Sequence, residues 1–107
     1  MPKFLTIGYG DSAGYARTPQ PLRDRAHEED AKLLAEGAII GIAGQPMQVR
    51  NPQAAGVETV AAPFMSSPLP VAGFAVIEAA DIDEAIRKVS GVPCAVADGV
   101  VEIWPIE

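Results

Sequence analysis

The chain is poor in the residues that hold a fold together by covalent bonds or by metal. Among 107 residues there is one cysteine, Cys94, and one histidine, His27. A lone cysteine excludes an intrachain disulfide and a cysteine-based metal site, and one histidine leaves too few ligands for a dedicated metal centre. We therefore expect no metal and no other cofactor. This cysteine usage is typical of a reducing compartment.

Basic residues are also scarce. Eight lysines and arginines stand against 14 aspartates and glutamates, which gives a formal net charge of −6. Because phosphate and anionic lipid both need a basic surface, this balance argues against a nucleic-acid partner and against a charged membrane surface. No apolar run approaches the length of a membrane span, and the opening residues resemble no secretory signal. We expect a cytoplasmic protein.

What remains is an ordinary globular composition, with 49% hydrophobic and 21% charged residues. The length predicts a single domain over residues 1–107. A chain of this size buries only a modest core, so association with a second copy would bury more apolar surface.

Alternating segments, apolar runs and turn signals predict six strands. Two longer connections are expected. One is a loop over residues 11–20, before the first helix, and the other is a proline-rich loop over residues 63–70. The strands are expected at Lys3–Tyr9, Ala38–Ala43, Met47–Arg50, Val57–Ala61, Val71–Glu78 and Val100–Ile106.

Two helices are predicted between these strands. The first runs from about Pro21 to Glu36 and stops at Gly37, a residue that favours a helix C-terminus. The second is capped by Asp81, with Glu84 completing a capping box, and ends before Gly91.

This order predicts an α+β fold of the ferredoxin-like type, an antiparallel sheet with two helices on one face. The middle strands are expected to form a meander or a hairpin, which makes this the ferredoxin-like plan with an extended hairpin. The strands over residues 38–43 and 71–76 are apolar at most positions, which indicates burial on both faces. Since the two helices cover one face, we expect a second subunit to cover the other, and hence a homodimer.

The first predicted helix carries three polar residues that deserve a functional hypothesis. Arg23, His27 and Asp30 are spaced i, i+4 and i+7, so they are neighbours on the helix surface. Asp30 also lies about 40° from Ala26, within the apolar stripe that includes Leu22 and Leu33.

A carboxylate on an apolar face is costly unless it is paired, and a carboxylate beside a histidine makes a general base. The hypothesis gives His27 the role of proton acceptor, Asp30 that of its orienting acid, and Arg23 that of an anion binder. Two plainer interpretations stay open. The trio is a solvated ion-pair cluster worth about 0.2–0.5 kcal/mol per pair, or His27 is a half-buried histidine with its hydrogen bonds satisfied.

Other candidates give weaker signals. Gly8-Tyr9-Gly10 lacks the strand–GxGxxG–helix context of a nucleotide site, and neither Ser66 nor Ser67 stands in a nucleophile elbow. Cys94, just past a helix end, is typical of a small buried residue.

Several segments together resemble the YCII-related proteins, in particular the branch named for a DGPF motif. The resemblance lies in the opening strand to Asp11, in Glu36-Gly37-Ala38 with the strand after it, and in the segments 73–85 and 101–106. Where the branch has Asp-Gly-Pro-Phe, this chain has Ala61-Ala62-Pro63-Phe64.

The resemblance implies a dimeric α+β barrel. It also implies that His27 matches the histidine of a proposed catalytic His–Asp pair, while Asp30 is our choice from the helix geometry alone. Two function classes follow. One is a small enzyme that uses this acid/base pair on a small molecule; the other is a non-catalytic ligand-binding or regulatory module.

Overall fold

A computed structural model describes all 107 residues and contains six strands and four α-helices. The helices are α1 Ser12–Arg17, α2 Gln20–Ala35, α3 Ile82–Val89 and α4 Pro93–Val96. The strands are β1 Lys3–Tyr9, β2 Ile39–Ile42, β3 Gln48–Arg50, β4 Glu58–Val60, β5 Val71–Glu78 and β6 Val100–Ile106. No helix has the length and apolar character that crossing a bilayer requires.

Four strands form one antiparallel sheet in the order β2-β5-β1-β6. β1 lies at the centre, with β5 on one side and β6 on the other. This arrangement confirms the predicted α+β class and is compatible with the ferredoxin-like plan. β3 and β4 do not join the main sheet; they pair only with each other in a two-stranded hairpin.

The two long helices form as predicted. The carboxylate of Asp81 accepts a hydrogen bond of 2.8 Å from the Glu84 amide, and the Glu84 carboxylate accepts one of 3.0 Å from the Ala80 amide. The first bond satisfies an amide group that the first turn of α3 leaves free, and the second fixes the chain just before the cap. Helix α2 ends as predicted before Gly37. This glycine adopts a positive φ of 96°, the left-handed conformation that follows the C-terminus of many helices.

Two short helices were not predicted, and the expectation of a loop over residues 11–20 is wrong. Asp11 caps α1, its carboxylate accepting a hydrogen bond of 2.8 Å from the Gly14 amide. Thr18 ends the helix, and its hydroxyl donates to the Gly14 carbonyl. The six residues of α1 are too few to show an amphipathic period, so capping is the only local signal. α4 has four residues and begins at Pro93, where proline is tolerated.

The core lies between the helices and one face of the sheet. Phe4 of β1 and Ile77 of β5 are register partners on that face. They pack with Leu33 of α2 and with Ala85 and Val89 of α3. Of the predicted apolar stripe on α2, Ala26 and Leu33 are buried, but Leu22 in the first turn of the helix is 40% exposed.

The opposite face of the main sheet has no helix over it, and we call it the open face. Leu5 and Ile7 of β1 point to this side, with Val76 and Phe74 of β5 as register partners and Trp104 of β6 beside Leu5. Phe74 and Trp104 are exposed within the single chain. The open face is therefore apolar and only partly covered.

Residues 47–61 form a hairpin arm that extends from the main body. Its tip holds a 3-10 turn at Pro52–Ala54, and the Asn51 side chain accepts a hydrogen bond of 3.1 Å from the Gly56 amide. Gln48 is the only arm residue that is even partly buried. The chain accordingly has principal extents of 52 × 36 × 20 Å.

Candidate functional site

A cavity of about 610 Å³ lies between α2, α4 and the core face of the sheet. Most of its wall is apolar. Four polar side chains face it, from β1, α2 and α4: Thr6, His27, Asp30 and Cys94. A largely apolar cavity of this size with a few convergent polar groups is the usual form of a small-molecule site.

Two glycines of the sheet leave space for the cavity. Gly8 of β1 and Gly73 of β5 are register partners on the core face. A Cβ atom on Gly73 would lie 2.7 Å from the Gly41 carbonyl oxygen, and one on Gly8 would lie 2.8 Å from the Cys94 Sγ. Any larger residue at either position would meet its neighbours, so these two glycines keep the space open.

His27 lies on α2 at the edge of the cavity and is held by Tyr15 of α1. The Tyr15 hydroxyl and the His27 Nε2 are 2.8 Å apart, within hydrogen-bond distance. The two rings meet edge to face, with their centroids 5.9 Å apart. The hydrogen bond and the ring contact together orient the imidazole.

Asp30 lies one turn further along α2 and is half-buried. Burial raises the pKa of the Asp30 carboxyl above its ordinary value, and the nearby His27 offsets part of that rise. Desolvation disfavours the charged form of an acid, which explains the direction. Asp30 forms no ion pair with His27 or with any other basic residue. A carboxyl in this state can exchange protons closer to neutral pH than an exposed aspartate.

Cys94 reaches the cavity from α4 and packs against Gly8. Burial raises the pKa of its thiol, and the Asp30 carboxylate raises it further. The thiol form is therefore favoured at neutral pH, and thiols are much weaker nucleophiles than thiolates. Cys94 contributes a small, neutral wall to the cavity.

Arg23 does not line this cavity. Its guanidinium carbon lies 5.0 Å from the centroid of the Tyr15 ring, and one terminal nitrogen donates to the Gln20 side chain at 3.2 Å. The buried Nε of Arg23 has no hydrogen-bond partner. Arg23 thus contacts the ring that holds His27, and it reaches the site only through Tyr15.

The structure brings two of the three predicted site residues to one cavity and places the third behind Tyr15. The helix spacing identified Arg23, His27 and Asp30 as neighbours, which they are along α2. Tyr15 was missed because it lies in the segment predicted as a loop, and no short-range pattern joins it to His27. The position of Cys94 depends on α4, a helix too short to leave a periodic signal.

A second cavity, of about 780 Å³, lies at the base of the hairpin arm. Phe64, Met65 and Phe74 contribute its large apolar side chains, and no ionisable side chain lines it. It is the larger of the two, but it holds no group that could transfer a proton. We therefore assign the candidate chemistry to the His27 cavity.

No three histidine, cysteine, aspartate or glutamate side chains come close enough together to hold a metal ion. Neither a known protein-family model nor a curated protein matches the chain.

Proposed function

We propose that this chain is a small YCII-like enzyme that transfers a proton to or from a small molecule bound in the His27 cavity. The observation that carries the proposal is the position of His27 and Asp30 on one cavity wall, where burial raises the pKa of Asp30. An acid/base residue works best when its pKa lies near the working pH.

The hydrogen bond to Tyr15 suits His27 to the role of proton acceptor. When the Nε2–H group donates to the Tyr15 hydroxyl, the other ring nitrogen, Nδ1, carries no proton and is free to accept one. Asp30 is the second proton-transfer group of this proposal, and its charge stabilises the imidazolium that forms. Arg23, stacked on Tyr15, acts as a positioning residue.

The apolar wall indicates the kind of molecule that would bind. Because the cavity has no basic side chain other than His27, it suits a neutral or singly charged compound better than a phosphate. Small carbonyl compounds with an acidic carbon–hydrogen bond are the simplest substrates for proton transfer in such a site.

The test is a screen of such carbonyl compounds in D₂O. Binding is followed by saturation-transfer NMR, and proton transfer by deuterium exchange at the carbon beside the carbonyl. We expect exchange with the wild-type protein and its loss in His27→Gln and in Asp30→Asn, with binding retained. Exchange that survives in both variants would contradict the proposal.

A non-catalytic ligand-binding module is the second candidate, and the larger apolar cavity favours it. In this case a neutral apolar compound would perturb the NMR signals of Phe64 and Phe74, with no exchange of its protons. The same screen therefore distinguishes the two functions.

We further propose that two copies associate through the open face to form a dimeric α+β barrel. The apolar side chains of that face support this proposal. So does the pairing of Glu102, the carboxylate that lies within that face. Glu102 accepts hydrogen bonds from the Tyr9 hydroxyl at 3.2 Å and from the Trp104 indole at 2.8 Å. Paired in this way, Glu102 costs less to cover than a free carboxylate. The single cysteine supports a cytoplasmic location.

A further inference from the structure

The hairpin arm, residues 47–61, stands away from the main body of its own chain: its two strands pack closely only on each other. Its one side-chain contact beyond residue 62 is at its base, where the Arg50 guanidinium carbon lies 6.0 Å from the centroid of the Phe64 ring. Its hydrogen bonds are all made within residues 47–62, including one of 2.9 Å from the Gln48 side chain to the Ala62 carbonyl. A two-stranded hairpin standing alone is at best marginally stable in water. We therefore expect the arm to pack against the surface of another molecule.

The two faces of the arm differ in polarity. Val49 of β3 and Thr59 of β4 are register partners on one face, and Val49 is 66% exposed. The other face carries Val60, opposite Gln48, together with Arg50 and Glu58. We call the first the Val49 face. It has no charged side chain, so it is the side suited to an apolar contact.

The single chain exposes more surface than a compact monomer of the same mass. A folded monomer of 11.2 kDa exposes about 5,700 Å², whereas this chain exposes 7226 Å². The excess of about 1,500 Å² exceeds the roughly 800 Å² that each partner contributes to a stable protein–protein interface. The radius of gyration agrees, at 15.7 Å against about 13 Å for a compact domain of this length.

The distribution of charge favours a second copy as the occupant. Two chains of net charge −6 repel unless their contact surfaces are close to neutral. The arm carries one cation, Arg50, and one anion, Glu58, and on the open face Lys3 stands opposite Glu78. Nine of the 14 acidic residues lie in the helices or at their caps instead. A strongly basic partner would find little to bind on the arm.

We propose that the arm of each chain embraces a second copy of the chain, with its Val49 face packed on the partner's body. A two-fold axis makes the contact reciprocal, so each arm clasps the other chain. The inference rests on the homodimer proposed above and extends it, because the open face alone does not account for the ordered arm.

The test compares Val49→Asp with Val60→Asp by sedimentation equilibrium of the full-length protein. Val60 is a matched control, since it is an exposed valine of the same hairpin on the opposite face. Both variants add the same charge to the chain. We expect Val49→Asp to raise the dimer dissociation constant by about tenfold or more, because a carboxylate would be buried there without a partner. Val60→Asp should stay close to wild type.

The remaining outcomes are distinct. A wild-type dimer with equal dissociation constants in both variants would overturn the role of the arm and leave another protein or a ligand as its occupant. A wild type that stays monomeric at every concentration would overturn both the dimer and the arm. Circular dichroism of each variant checks that the substitution has not unfolded the chain. The proton-transfer screen tests a separate proposal, and its outcome does not depend on either result.

Discussion

The Tyr15 hydroxyl lies 2.8 Å from the His27 Nε2, across a gap of 12 residues in the chain. The bond joins α1 to α2 at the rim of the cavity, and it is the contact that orients the only histidine. Its consequences for stability and for the state of the imidazole are both measurable.

Replacing Tyr15 by phenylalanine removes the hydroxyl and keeps the ring contact with His27. We expect the free energy of unfolding to fall by about 0.5–1 kcal/mol, since the bond is exposed and neutral. The ¹⁵N shifts of the imidazole should then report a mixture of the two neutral tautomers instead of one. A single tautomer that persists in Tyr15→Phe would show that another group fixes the ring.

Asp30 should destabilise the folded chain at neutral pH. Burial raises the pKa of this carboxyl above 3.8, so the folded state binds the proton more tightly than the unfolded state does. Stability is unaffected below 3.8, declines as the pH rises through the raised pKa, and stays lower above it. We expect Asp30→Asn to increase the free energy of unfolding at pH 7, by less than about 1 kcal/mol because the group is half-exposed.

Urea unfolding at pH 7 and at pH 3 measures this difference. Asp24→Asn is the control, because Asp24 is an exposed aspartate of the same helix that does not line the cavity. A gain for Asp30→Asn at pH 7 that persists unchanged at pH 3 would point to packing and not to charge.

Cys94 offers an independent probe of Asp30. Since burial and then Asp30 raise the pKa of the thiol, little thiolate forms at pH 8 and a disulfide reagent should react slowly. Asp30→Asn removes one cause of the rise, so the reaction should become several times faster. Cys94 is the only cysteine, so the rate belongs to it alone. An equal acceleration in Asp24→Asn would mean that the effect is not local.

The two glycines of the cavity should respond differently to alanine. In Gly73→Ala the new methyl group meets a backbone oxygen at 2.7 Å, and backbone yields poorly. We expect destabilisation of about 1–3 kcal/mol, as for other overpacked sites. In Gly8→Ala it meets the Cys94 sulfur, so adding Cys94→Ala should restore stability. Gly44→Ala, which faces open space, is the control in thermal unfolding.

Much of the fold follows from local patterns. β1, β5 and β6 have the predicted bounds because each is an alternating or largely apolar segment with turn residues beside it. α3 follows from the Asp81 cap. α1 and α4 could not be predicted, since six and four residues carry no helical period. The prediction left a meander or a hairpin open for the middle strands, and β3 and β4 form the hairpin.

Only part of the candidate site could be predicted from the sequence. Helix spacing placed Asp30 on the buried side of α2 beside His27, because both lie on one element. The contributions of Tyr15, Cys94 and the two glycines depend on contacts between elements distant in sequence. The space beneath α2 likewise depends on the register of the sheet, because this register places Gly8 opposite Gly73.

The central claim is that His27 and Asp30 act on each other within one cavity. The direct measurement is the ¹³C titration of the Asp30 carboxyl in the wild type, in His27→Gln and in Arg25→Gln, which removes a charge elsewhere on α2. Because His27 lowers the pKa of Asp30, we predict that the Asp30 pKa rises further in His27→Gln and is unchanged in Arg25→Gln. An Asp30 pKa that is the same in all three proteins would contradict the account.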